Sequence, residues 1–314
     1  MGDLQEKINR SIERLKAFEP EEGYYLAFSG GKDSVVCKAL LDMAGCKYDA
    51  TYRVTSVDPP ELVRFIKETH PDVKREVPRY SESISDEKLR GRPITMWNLI
   101  PHKLLPPTRV TRYCCNLLKE SGGDGRMIVT GVRWAESMTR RDNHGIVTFS
   151  GKTASKDDAL KENKDFHTNN YGGVVLTNDN ADSRRMVEQC YKRHKTTVNP
   201  IIDWQDEDVW EFIHRYGVPY CSLYDEGFTR LGCIGCPLCS TKDREHELIR
   251  WPKYKDAYFK AFERMLAERK RRGRLNGTWS EETTARDAFN WWMKYDILPG
   301  QFNLFEDYDE EDGE

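Results

Sequence analysis

Apolar residues recur along the chain with two periods, one helical and one extended. Leu4, Ile8, Ile12 and Leu15 predict an amphipathic helix over residues 3–18 that lays one stripe on a core. The apolar run Tyr24-Tyr25-Leu26-Ala27-Phe28 predicts a strand. It breaks at Ser29-Gly30-Gly31, after which Val35, Val36, Ala39, Leu40 and Met43 follow a helical spacing. A second unit repeats the scheme: a strand over Tyr48–Val54, the turn Asp58-Pro59-Pro60, then a helix near Glu61–Thr69 with Leu62, Phe65 and Ile66 inward. Further strands are expected at Lys74–Val77, Met127–Val132 and Gly173–Thr177, and helices at Asp206–Arg215 and Tyr254–Arg272. Alternating strands and helices imply an α/β fold: a parallel twisted sheet with right-handed crossovers, helices on both faces, and a Rossmann-like topology.

This pattern divides the chain into an α/β domain over 1–240, interrupted by a polar insertion at about 151–172, a helical C-terminal extension over 241–304, and an acidic tail over 305–314. No run approaches the roughly 18 apolar residues of a membrane span, and the charged start MGDLQEKINRSIERLKAF is unlike a signal peptide. Glu6 stands where an acylation signal needs Ser or Thr. A cytoplasmic, soluble protein with no membrane partner is therefore expected. The net charge of -3 excludes a general polycation, so any nucleic-acid contact has to come from local basic patches such as Arg184–Lys195 or ERKRRGR.

Ser29-Gly30-Gly31-Lys32-Asp33-Ser34 falls between a predicted strand and a predicted helix. Two glycines let the backbone close round an oxyanion and the helix start aims free N–H groups at it. Ser29, Ser34 and Lys32 add hydroxyls and a positive charge. The spacing is not that of a Walker A loop. Gly131 closes another strand, so Arg133, Glu136, Ser137 and Arg140 are expected at the carboxyl edge of the sheet, with Arg133 suited to bidentate phosphate or sulfate binding. Asp58, just past the second strand, is placed to accept from an adenine or ribose donor.

Nine cysteines in a chain without an export signal read as ligands rather than disulfides. Cys37, Cys46, Cys190 and Cys221 are isolated, and Cys37 falls on the apolar side of its helix. Cys114-Cys115 is a tandem pair, and Cys233-Ile234-Gly235-Cys236 is a CxxC that Cys239 extends. Cys114, Cys115, Cys233 and Cys236 are four thiolates that suit zinc or a [4Fe–4S] cluster, and spacing alone does not separate the two.

Several segments in order resemble the phosphoadenosine phosphosulfate reductase family of the PP-loop adenine nucleotide hydrolase-like proteins. They are SGGKDS, Val57-Asp58-Pro59-Pro60, Pro106-Pro107-Thr108-Arg109, Arg112-Tyr113-Cys114-Cys115 with Lys119, Gly131 to Arg141, Asn199 to Trp204, and Tyr224 to Cys236. The resemblance spans about residues 20–240. It implies an adenine-nucleotide site beside a [4Fe–4S] cluster on Cys-Cys and CxxC, and a sulfur donor or thiol-reductant protein as partner. The family's reductases use a catalytic cysteine in a C-terminal segment, whereas here no cysteine follows Cys239, and they commonly carry a degraded PP-loop, whereas here SGGKDS is intact. The expectation is therefore an ATP-dependent enzyme that cleaves between the α and β phosphates. Mg²⁺ and Lys32 would neutralise the pyrophosphate, with Lys32 and Arg133 catalytic, and the product would serve sulfur transfer or nucleic-acid modification. The alternatives are a true phosphoadenylyl-sulfate or adenylyl-sulfate reductase and a non-catalytic nucleotide- or nucleic-acid-binding subunit.

Overall fold

The computed structural model describes residues 2–84, 86–150, 166–170, 173–177 and 195–294. Cys190, the basic stretch from Arg184 up to its last residue, most of the polar insertion and the acidic tail lie outside them. Two compact units form, neither continuous in sequence. The first comprises residues 1–53, 60–76 and 121–231; the second comprises 54–59, 77–120 and the chain from Gly232 onward. The expected boundary near residue 240 is thus corrected. The CxxC segment and two earlier segments belong with the C-terminal helices, because Ile234 is tied at both ends: its N–H donates to Val57 O (2.8 Å) and its carbonyl accepts from Tyr258 Oη (2.8 Å).

The first unit is built on one eight-stranded sheet: β1 (Tyr24–Ala27), β2 (Tyr48–Arg53), β3 (Lys74–Glu76), β4 (Met127–Val129), β5 (Val147–Ser150), β6 (Phe166–Thr168), β7 (Val174–Leu176) and β8 (Lys195–Val198). Their spatial order is β3-β2-β1-β4-β8-β5-β7-β6. Pairs from β3 to β8 are parallel, as expected, whereas β5, β7 and β6 add antiparallel. Within the expected polar insertion, Phe166–Thr168 form a strand that pairs with Val174–Leu176.

Helix α1 (Gly2–Ala17) buries Leu4, Ile8 and Leu15 and packs on α2 (Lys32–Ala44). Gly45 ends α2 in the left-handed conformation, its N–H reaching Asp42 O while Cys46 N reaches Leu41 O, which satisfies the last carbonyls. Helix α3 (Pro60–Thr69) buries Leu62 and Ile66. The short α5 (Met138–Asn143) follows β4. Helix α6 (Asp206–Tyr216) opens on three acids, which suits the positive end of its dipole, and stops at Gly217.

In the second unit, α4 (Met96–Lys103) starts with Thr95 and Asn98 capping each other's backbone. It packs against the long α8 (Pro252–Arg271), with α7 (Thr241–Arg250) and α9 (Ala285–Lys294) alongside. The core there is aromatic: Tyr258 lies 4.5 Å from Trp292 between ring centroids and 5.2 Å from Trp97, and the Trp292 indole donates to Pro107 O (2.9 Å). No helix among the described residues is long and apolar enough to cross a membrane.

Candidate functional site

The sheet reverses its strand order between β1 and β4, and the chain leaves the carboxyl ends of both strands at that crevice, the position where open α/β sheets bind ligands. From β1 the chain passes through Ser29-Gly30-Gly31 into α2. Gly30 has φ +75°, and a Cβ there would stand 2.8 Å from Leu62 and Ile66, so the turn requires glycine. The hydroxyls of Ser29 and Ser34 are 3.2 Å apart. Ser34 Oγ accepts from Ser29 N (3.3 Å) and donates to Gly31 O (2.8 Å), and Ser29 Oγ accepts from Gly31 N (3.3 Å). Lys32 is buried; its ammonium donates to Thr229 O (3.1 Å) and pairs with Asp206 (3.2 Å), and its N–H donates to the Tyr224 hydroxyl (2.9 Å).

From β4 the chain runs through Thr130 and Gly131. A Cβ on Gly131 would lie 2.7 Å from Asp33 Cβ and 2.9 Å from its carbonyl carbon, so this strand end abuts the first turn of α2. Arg133 follows, 2% exposed, and its guanidinium donates to Asp33 Oδ1 (2.7 Å), Asp206 Oδ1 (2.7 Å) and Trp204 O (3.4 Å). The motif Asn199 to Trp204 braces this arrangement. Buried Asn199 is held by Ile146 and Gly145 and bonded by Thr130, and Trp134 N donates to Ile202 O (2.8 Å). Burial pushes the Asp206 carboxyl up, but the hydrogen bond from Arg133 and the charge of Lys32 outweigh it and hold Asp206 below the ordinary carboxylate range.

The structure therefore brings Ser29, Gly30, Gly31, Lys32, Asp33, Ser34, Gly131 and Arg133 together. Three of the Arg133 donors reach two carboxylates and a carbonyl, so it acts as a strut between β4, α2 and α6. Glu136 accepts from Arg133 N (3.1 Å) and pairs with Arg140, while Ser137 caps α5 by accepting from Arg140 N (3.2 Å). These three residues close the turn after β4. Asp206, Tyr224 and Thr229 were not marked out by sequence reasoning. Tyr224 and Thr229 lie in a segment shared with a family and Asp206 reads as a helix start, but no local pattern says that they reach Lys32.

Asp58 belongs to the second unit. It is buried, accepts from Thr55 N (3.4 Å), and its charge acts on Lys119 and Cys233. That unit carries the clustered cysteines. Cys115 opens a π-helical turn, Cys115–Glu120, a form frequent at functional sites. The CxxC loop is tightly held: Cys236 N bonds Cys233 O (3.2 Å), Cys239 N bonds Cys236 O (2.9 Å), and Arg109 donates to Pro237 O and Cys239 O (3.0 and 3.3 Å). Gly235, at φ +71°, lies where a Cβ would meet Trp292 at 2.9 Å.

Cys114 donates to Cys115, which raises the pKa of the first thiol, helped by burial. Cys115 accepts that bond and another from Arg112, which lowers its own against burial. Burial pushes the Cys233 thiol up to about 11 against the pull of Lys119. The Cys233 thiol, then Asp58 and the Cys236 and Cys115 thiols, raise the Lys119 ammonium against desolvation. Four thiols that feel one another, with Lys119 and Arg112 as counter-charges, fit in donor type the thiolate set of an iron–sulfur cluster. Among the described residues no group of three or more His, Cys, Asp or Glu side chains is placed to hold a metal ion. By contrast Cys37, Cys46 and Cys221 are buried, and burial raises all three thiols, Cys46 to about 12.

The family model of the phosphoadenosine phosphosulfate reductase domain matches residues 23–239. An uncharacterized protein of Methanocaldococcus jannaschii is 24% identical over 87% of this chain and 46% of its own length, and a second from that organism is 25% identical over 67% and 40%. The chain thus spans about half or less of these relatives. The adenosine 5'-phosphosulfate reductase of Geobacillus kaustophilus is 32% identical over 24% of this chain and 34% of that protein. Among solved structures, a phosphoadenylyl-sulfate reductase from Candida auris is 14% identical with a TM-score of 0.37, covering 71% of this chain and 87% of that one. Candida glabrata FMN adenylyltransferase is 16% identical with a TM-score of 0.39, covering 74% and 64%.

Proposed function

Because the chain belongs to the phosphoadenosine phosphosulfate reductase family and keeps a complete Ser-Gly-Gly-Lys-Asp-Ser cradle, we propose that it is an ATP-dependent enzyme of sulfur transfer or nucleic-acid modification. The observation that carries this reading is the cradle itself. Paired Ser29 and Ser34 hydroxyls and the amino end of α2 sit at the strand-order reversal, with the Lys32 ammonium behind them. A polyphosphate seated there lies against hydroxyl donors, helix amides and one lysine, all on the first turn of a rigid helix.

The reaction supported is attack of a substrate oxygen on the α phosphorus of Mg-ATP. The bond from the α phosphorus to its bridging oxygen breaks, and pyrophosphate leaves with the electron pair. Lys32 binds the leaving phosphates and stabilises their charge as it develops. Asp206 and Arg133 hold Lys32 and the first turn of α2 in register. Cys114, Cys115, Cys233 and Cys236 would hold a [4Fe–4S] cluster, which when bound supplies a site for sulfur or an electron. Lys119 and Arg112 offset the thiolate charge there. A sulfonucleotide reductase is the second reading, favoured by the relatives named as adenosine 5'-phosphosulfate reductases.

Parallel assays on anaerobically purified protein separate the readings. Pyrophosphate release from Mg-ATP, lost in Lys32→Ala, is expected. Sulfite release from adenylyl sulfate with a thiol reductant, and no pyrophosphate from ATP, would replace this reading with the reductase. Binding of nucleotide with neither product would make the protein an accessory subunit.

A further inference from the structure

The first free amide of α2, Lys32 N, is a donor that a helix start offers to an anion. Here the acceptor is the phenol oxygen of Tyr224, 2.9 Å away and 192 residues on in the chain. A Cβ built on Gly31 would stand 3.5 Å from that same oxygen, so the hydroxyl lies directly over the glycine turn. The segment engages the other end of Lys32 as well, through the 3.1 Å bond from its ammonium to Thr229 O. Both functions of the one lysine in the loop are thus taken by residues 224–229, with Asp206 the remaining partner.

The Tyr224 ring is backed by an aromatic cluster of the same unit. Trp210 lies 5.1 Å away edge-on, Tyr220 6.4 Å away, and His214 stacks on Trp210 at 5.8 Å. Beyond the tyrosine the chain turns at Gly227, with φ +93° and open space where a Cβ would stand, and Asp225, Glu226, Gly227, Thr229 and Arg230 are exposed. One side of the segment is anchored on rings and the other faces solvent. Burial raises the Tyr224 hydroxyl well above the ordinary phenol range, so it stays neutral.

We propose that Tyr224 gates the phosphate cradle: its hydroxyl holds the position at the start of α2 that a phosphate oxygen of the nucleotide takes, and bound phosphate displaces it together with the Lys32–Thr229 link. The proposal deepens the reading of this site as a nucleotide cradle and rests on it. A neutral phenol is the weaker acceptor, since hydrogen bonds to an ionised oxygen are roughly twice as strong. The gate therefore yields to phosphate and not to a neutral ligand. Its cost appears in affinity, because a site open only part of the time binds more weakly by the open fraction.

The test compares wild type with Tyr224→Phe, which keeps the ring against Trp210 and removes only the hydroxyl. Each is titrated calorimetrically with Mg-ATP and with inorganic pyrophosphate. The gate predicts tighter binding of both probes by the phenylalanine form, about five-fold, the factor one competing neutral hydrogen bond supplies. It also predicts that either probe changes the tryptophan emission of wild type, and that this change is lost in Trp210→Phe. Equal or weaker binding by Tyr224→Phe overturns the gate while leaving the ATP reading in place. Pyrophosphate tighter to the variant, with ATP bound by neither form, keeps the gate and removes ATP as ligand. Failure of both probes to bind either form refutes both.

Discussion

Arg133→Met is expected to cost about 2–3 kcal/mol of folding stability. The guanidinium is 2% exposed and serves three acceptors from three parts of the first unit, Asp33, Asp206 and Trp204. Removing one partner of a buried ion pair costs about 3–5 kcal/mol, because the surviving charge is left without compensation. Two features reduce that figure. The Asp206 side chain is 54% exposed and that of Asp33 23%, so water reaches both carboxylates once the arginine is gone. Methionine nearly fills the volume, so little cavity cost is added. Urea unfolding followed by circular dichroism measures the loss, with the slope expected to stay constant and the midpoint to fall. Arg133→Lys should recover part of it, since one ammonium satisfies one carboxylate but not the forked arrangement. A methionine variant of wild-type stability whose only defect is weak nucleotide binding would refute the strut and restore Arg133 as a phosphate clamp.

Three further outcomes are expected. Gly131→Ala should lose about 1–3 kcal/mol in the same unfolding assay, because its methyl would stand 2.7–3.0 Å from Asp33 atoms, two of them backbone; an unchanged midpoint would contradict that close approach. Burial pushes the Asp203 carboxyl up, but the bidentate bond and charge of Arg14 hold it below the ordinary range. Its stabilisation is therefore complete above the unfolded value of about 3.9 and is lost as pH falls through the lower folded value. Stability measured from pH 2 to 6 should fall less steeply in Asp203→Asn than in wild type, and equal slopes would refute the assignment. Anaerobic reconstitution should load about four irons per chain, retained in Cys37→Ala and Cys46→Ala and lost in Cys233→Ala; iron retained in the last by elemental analysis would exclude Cys233 as a ligand.

What the sequence alone determined about this protein is local. The β1–loop–α2 unit is legible because the apolar run, the two glycines and the helical spacing lie within some twenty residues and each follows from short-range sterics and burial. The tandem cysteines and the CxxC are legible for the same reason, as are strands β1 to β4, whereas the parallel β8 is not among the predicted strands. Tertiary structure alone decided which charges meet. Arg133 looks along the chain like a partner of Glu136, yet its guanidinium goes to Asp33 and to Asp206, 73 residues on. Asp58 follows a strand of the first unit but folds with the thiols of the second. Phe166–Thr168 lies in a polar stretch with no apolar alternation to announce a strand, and becomes one because the edge of β7 offers unpaired backbone groups. Asp206 reads as a helix start, and Tyr224 has no local pattern at all. Their roles arise where a helix amino end, a strand end and a distant loop close on one lysine, and no pattern along the chain encodes that convergence.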